Sequence, residues 1–136
     1  MLFLQTIRVL YTDAAASAAP ALRAAKPALL RAFQRDGFFL VDACEKRMPR
    51  GASAAVKRRR ISNDLPSLRA RLAQLRAWRI PLVLMAATVH DAAAGYNVVN
   101  SDAIAFPSYR WAKQFRAQLD RAIRAAGWRP RLSGAM

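Results

Sequence analysis

Apolar residues recur at helical spacing in several places along the chain. Phe3, Leu4, Ile7, Leu10 and Tyr11 fall on one face, which predicts an amphipathic helix over the first dozen residues, with a strand as the weaker alternative. A loop is expected from there to Pro20. Leu22, Ala25, Leu29, Leu30 and Phe33 repeat the pattern over residues 21–34, with Arg23, Lys26, Arg31 and Arg35 turned outward and Pro27 marking a break or a new start. Leu65, Leu68, Leu72 and Leu75 form a further stripe, capped by Asn63 or Asp64, with Arg69 and Arg76 on the outer side. The last stripe is Trp111, Phe115, Leu119, Ala122 and Ile123, opened by Pro107-Ser108 and ended by Gly127.

Between these stripes lie short apolar runs without alternation. Residues 38–41, entered through an Asp36-Gly37 turn, read as a strand buried on both faces, as do residues 80–85 and 96–99. Residues 86–94 read as a short helix closed by Gly95. Residues 46–62, with Pro49, Gly51 and four consecutive cations, show little periodicity and are expected to form a mobile loop. Strands alternating with helices predict an α/β chain: a three-layer α/β/α arrangement around a short parallel sheet, in a single domain over residues 1–136. No repeat of 20 to 50 residues is present.

Composition narrows the classes. The 136 residues include 23 Lys and Arg against 8 Asp and Glu, a formal charge of +15, yet 54% are hydrophobic, so a core is available and a disordered polycation is excluded. The charge is local. Residues 1–45 are nearly balanced, residues 46–79 carry eleven cations against Asp64 alone, residues 80–107 have no Lys or Arg, and residues 108–136 carry seven cations against Asp120. Two basic blocks around an apolar one fit a domain with one rim toward a polyanion, and nucleic acid is the leading partner. Because 19 of the 23 cations are Arg in an alanine-rich chain, coding bias is the competing explanation for that charge.

One cysteine, Cys44, cannot form an intramolecular disulfide, and no Cys/His cluster has zinc spacing, so no metal site or other cofactor is expected and a reducing cytoplasm fits. Gln5 and Arg8 interrupt the apolar start and no basic residue precedes it, which argues against a secretory leader. The run over residues 80–89 is too short to span a bilayer. His90 and Cys44 are read as structural: adjacent Asp91 does not face His90 on a helix, and Cys44 lacks a group that would lower its pKa.

Three segments carry a resemblance when taken in order. The stretch FFLVDACEKRMPRG over residues 38–51, RIPLVLMAATVHDAAA over 79–94 and AFPSYRWAKQF over 105–115 together resemble the C-terminal part of the uracil-DNA glycosylase superfamily. Asp42 stands where the family has an Asn that ends a strand, Arg47 at the Arg of the following loop, and Met85-Ala86 in place of Leu-Gly. Pro107 and Ser108 match the His-Pro-Ser loop, with Phe106 at the position of the His. About two thirds of the chain is covered.

The resemblance implies excision of a base that is flipped out of the stack into a pocket. It also implies an N-terminally truncated form of the family's fold, because the Gly-x-x-Pro-Gly-type motif that positions water has no counterpart, and Asp13 lacks the glycines and the proline. The base-pocket candidates are Asp42 and Phe106, and both are altered. An ionised Asp only accepts hydrogen bonds, whereas an Asn reads an imide edge with a donor and an acceptor. Phe106 cannot donate to a leaving anion, a loss that typically costs about 10² to 10³ in rate. A core position is the competing reading of Phe106, and strand ending that of Asp42.

The expected function is therefore a uracil-DNA glycosylase-like DNA-binding domain with impaired or absent catalysis. Its phosphate contacts are expected at Arg47, Lys57, Arg58, Arg59, Arg60, Arg69, Arg76, Ser108, Tyr109 and Arg110. The alternatives are a small basic nucleic-acid-binding protein without glycosylase ancestry and a fragment without independent function. A missing first strand would leave a sheet edge open, through which two copies could pair as a homodimer.

Overall fold

A computed structural model describes residues 1–75, 80–86, 89–90, 100 and 103–136. These residues fall into two compact units, one formed by Met1–Leu40 with Phe106–Met136 and the other by Val41–Ala105.

The first unit is helical. It contains α1 (Leu2–Leu10), α2 (Thr12–Ala15), α3 (Ala19–Ala24), α4 (Lys26–Arg35) and α6 (Ala112–Ala125). The stripe on α6 behaves as its spacing requires: Phe115, Leu119, Ala122 and Ile123 are buried, and α6 packs on α1, which buries Leu4, Ile7, Val9 and Leu10. Trp111, expected inward, is instead the N-cap residue of α6 and 46% exposed. The expected loop over residues 12–20 is replaced by α2 and the start of α3, where Pro20 sits in the first turn. Pro27 sits in the first turn of α4 and so begins that helix, because its missing N–H is not needed there.

Both α4 and α6 end in the same way. Gly37 (φ +84°) and Gly127 (φ +92°) take the left-handed conformation after each helix. The next residue, Phe38 or Trp128, turns its N–H back to the carbonyl of Phe33 (3.1 Å) or Ile123 (2.9 Å), a Schellman stop. Phe38 stacks on Phe33 with ring centroids 5.1 Å apart and meets Trp128 edge-on at 4.7 Å. The stop also corrects the first expected strand. The Phe38 amide is committed to the helix end instead of a ladder, and Phe39 and Leu40 are each 61% exposed.

The chain's last residues close on its first. Tyr11, the extended residue between α1 and α2, forms a parallel bridge with Arg131: Arg131 N–H donates to the Leu10 carbonyl and Thr12 N–H to the Arg131 carbonyl. Asp13 then accepts from the Ala14 amide (3.1 Å), the Ser133 amide (3.0 Å) and the Ser133 hydroxyl. Burial favours the neutral acid, but these hydrogen bonds outweigh it and hold the Asp13 carboxyl below the ordinary carboxylate range. Asp36 is likewise held low, first by the Arg35 guanidinium and also by the Tyr11 hydroxyl, which donates at 2.8 Å.

The second unit is built on α5 (Ala54–Gln74). Leu68 and Leu72 pack against Leu65, Val41, Ala43 and Leu82. The helix begins at Ala54, where Ser53 accepts from the Val56 amide at 3.2 Å, so the mobile loop expected over residues 46–62 is largely helix. Asn63 and Asp64 are interior and Pro66 lies inside the helix. A proline has no N–H to offer the carbonyl four residues back, here that of Ser62.

No sheet forms among the described residues, and the α/β/α architecture expected from the sequence gives way to a mostly helical one. Besides Tyr11–Arg131, an isolated bridge pairs Met85 with Ile104. The second expected strand fails for a specific reason. Both backbone groups of Leu84 are taken by the side chain of Asn100, which accepts from the Leu84 amide (2.9 Å) and donates to its carbonyl (3.0 Å), the work a neighbouring strand would do. His90 Nε2 bonds the Asn100 carbonyl at 3.1 Å, a structural placement. The third expected strand, residues 96–99, and most of the short helix over 86–94 lie outside the described residues. Among the described residues there is no sheet whose open edge could pair two copies. Among the described residues no helix is long and apolar enough to cross a membrane.

The native pKa values of Asp13 and Asp36 lie below their unfolded values, so the stability they contribute is present above about pH 4 and lost as pH falls through the native values. Urea denaturation at stepped pH should show a decline below about pH 4 that is shallower in Asp13→Asn. At neutral pH, Asp13→Ala should cost about 2 to 3 kcal/mol, the range for a charged hydrogen-bond acceptor whose donors are left without a partner.

Candidate nucleic-acid interface

The basic block over residues 46–79 becomes a surface through α5. Along this 21-residue helix, which spans about 31 Å at 1.5 Å per residue, the buried positions are Ile61, Leu68 and Leu72. The exposed positions include Lys57, Arg58, Arg59 and Arg69, together with Val56, Ser62, Asn63, Pro66, Ser67, Ala70, Ala73 and Gln74. The helix contains one acidic residue, Asp64, and it is not among the exposed positions. The exposed charges of α5 are therefore all cationic.

Placing four cations in the first two turns works against the helix. Its N-terminus carries partial positive charge, and no acidic residue occupies the first turn to offset it. Ser53 supplies the one side-chain cap. The charge order is thus not explained by the stability of α5.

Two of the arginines serve the unit itself. Arg60 and Arg71, three turns apart on one flank of α5, hold the segment over residues 42–47 along the helix. Arg60 Nη1 donates to the Arg47 carbonyl at 3.0 Å, and Arg71 donates to the carbonyls of Asp42 (2.7 Å) and Ala43 (3.5 Å) and pairs with Glu45 at 3.3 Å. Cys44 lies under this clamp. Burial pushes its thiol up, with the Asp64 carboxylate beside it acting in the same direction, so it is a poor nucleophile at neutral pH.

The sequence-derived candidates are thereby sorted. Lys57, Arg58, Arg59 and Arg69 are all exposed along α5, whereas Arg60 is half-buried and committed to the Arg47 carbonyl. Arg47 is exposed and contributes that carbonyl. Arg76 lies outside the described residues. Asp42 is exposed on the clamped segment of the second unit. Phe106, Ser108, Tyr109 and Arg110 belong to the first unit. There Ser108 does not cap α6. Its carbonyl accepts from the Trp111 amide at 2.9 Å, within an open turn that leaves Phe106 56% and Tyr109 95% exposed. Phe106 is thus not a core residue, and the Arg110 guanidinium lies 5.8 Å from the ring centre of Trp111. Arg71 is the functional position the sequence reading omits. Its spacing of eleven from Arg60 was the available signal, since residues three turns apart share a flank.

Compared with family models, with curated proteins and with solved structures, the chain matches none.

The clamp makes a testable statement about Cys44. Arg71→Ala should free the segment over residues 42–47 and raise the rate at which Cys44 reacts with a thiol reagent severalfold, while Arg59→Ala, on the open face, should leave that rate unchanged.

Proposed function

We propose that the protein binds nucleic acid through its phosphates, with the solvent face of α5 as the principal contact surface, and that it does so without glycosylase chemistry. The observation that carries this reading is the set of exposed cations along α5, Lys57, Arg58, Arg59 and Arg69, with no exposed carboxylate among them. Guanidinium and ammonium groups exposed along one helix neutralise phosphates and release their counterions. A helix of about 31 Å matches nearly one turn of duplex in length. The exposed rings of Phe106 and Tyr109, with Arg110 beside them in sequence, add groups suited to base stacking on a strand that is not paired.

Binding is favoured over base excision because the reacting groups are not supplied. Asp42 is acceptor-only and Phe106 carries no donor, so neither can read an imide edge or stabilise a departing uracil anion.

Titration of fluorescent duplex and single-stranded oligonucleotides at several salt concentrations tests the reading. Log affinity should fall linearly with log salt, and replacing Lys57, Arg58 and Arg59 together by Gln should lower the duplex slope by about 2.7, at about 0.9 per phosphate. All sequences should weaken alike. No binding at low salt, or an unchanged slope in the triple variant, rejects the proposal. Uracil release from a uracil-containing strand rejects the non-catalytic part of it.

A further inference from the structure

The first unit has a groove of about 570 Å³ between α1–α2 and α6, lined by Arg8, Thr12, Arg116, Asp120 and Arg124 among others. It holds three guanidinium groups and one carboxylate. That carboxylate is already taken, since Arg124 Nε donates to both oxygens of Asp120 at 3.0 Å. Arg8 and Arg116 are half-buried and have only neutral acceptors: Arg8 Nη2 donates to the Ser17 carbonyl at 3.3 Å, and Arg116 Nη1 donates to Oε1 of the buried Gln5. The Nε–H of Arg8 is buried and has no acceptor. A guanidinium partly removed from water loses hydration that a single neutral oxygen does not replace, and a buried donor without an acceptor points to a missing partner.

We infer that this groove is an anion site for a phosphate group, held by the forks of Arg8 and Arg116. A phosphate suits it better than a carboxylate for two reasons. Two arginines stand without counter-charge, and a phosphate carries up to two negative charges with three oxygens that can each accept from a guanidinium fork. The groove is also larger than the ion, with Val9, Ala15 and Pro130 in its wall, so it admits the organic part of a phosphate ester. The inference does not rest on the α5 surface, which belongs to the other unit.

The test is a titration of the full chain with inorganic phosphate at constant ionic strength set by chloride, followed through the arginine Nε–H resonances. The Arg8 signal should shift and saturate. Arg116→Gln should weaken the affinity at least tenfold, Arg8→Lys, which keeps the charge and removes the fork, should do the same, and Asp120→Asn should strengthen it severalfold by releasing Arg124. Circular dichroism checks that each variant folds; if Arg116→Gln does not, Arg116→Lys decides. Thymidine monophosphate displacing the ion while the diester TpT does not identifies a terminal phosphate, and displacement by TpT identifies a nucleic-acid backbone; either supports the site. No saturable shift by about 50 mM phosphate, far weaker than millimolar binding, or equal affinity in Arg8→Lys and the unaltered chain, overturns it. The triple Gln variant of Lys57, Arg58 and Arg59 should retain phosphate binding in the groove, so failure of the α5 reading and failure of this one are separable.

Discussion

The chain leaves α1 through one extended residue, Tyr11, and the closure of the first unit attaches there. Its backbone pairs with Arg131 and its hydroxyl reaches Asp36, while its ring is wholly buried. The adjoining Asp13 binds Ser133, whose carbonyl in turn accepts from Arg35 at 3.2 Å. Three segments far apart in sequence are thereby fixed to one turn of backbone. Each of these polar groups is costly to bury alone and inexpensive together, because every donor in the set finds an acceptor. Beside a core of leucine, isoleucine and aromatic side chains, a fully connected polar junction supplies a uniqueness that apolar packing alone would not.

Arginine has three separate uses in this protein. On the open face of α5 it is a charge held out to solvent. On the flank of the same helix, Arg60 and Arg71 act as clamps that donate to backbone carbonyls, Arg71 also pairing with Glu45. In the groove of the first unit, Arg8 and Arg116 are half-buried with their charge uncompensated by any carboxylate. The same side chain thus serves as surface charge, structural donor and anion ligand, and only its surroundings distinguish these.

That explains how much of the protein was legible in its sequence. Periodicity identified α1, α4 and α6, and the glycine stops at 37 and 127 were visible as turn signals. The strands were not legible, because four to six apolar residues carry no period: residues 38–41 begin as a helix stop, and Leu84 is bridged by a side chain on Asn100, sixteen positions away, which no local pattern announces. The start of α5 was missed because residues 46–62, with Pro49, Gly51 and four consecutive cations, show little periodicity, so the cap was placed at Asn63 or Asp64 instead of at Ser53. The cationic run at 57–60 was recognised as a contact candidate but placed on a loop. Arg8 and Arg116 were invisible as sites because, in a chain with 19 arginines, the residue type alone discriminates nothing.

The paired helix stops constrain how this sequence can vary. Phe38 and Trp128 meet only because α4 and α6 each end at the turn that aims its aromatic at the other. A residue inserted in or deleted from either helix rotates everything beyond it by about 100° relative to the buried stripe, carrying one ring away from its partner. Neither helix can change length by a single residue on its own. Viable length changes in the first unit are therefore confined to its connections, while the spacing from Leu29 to Phe38 and from Phe115 to Trp128 behaves as a fixed ruler.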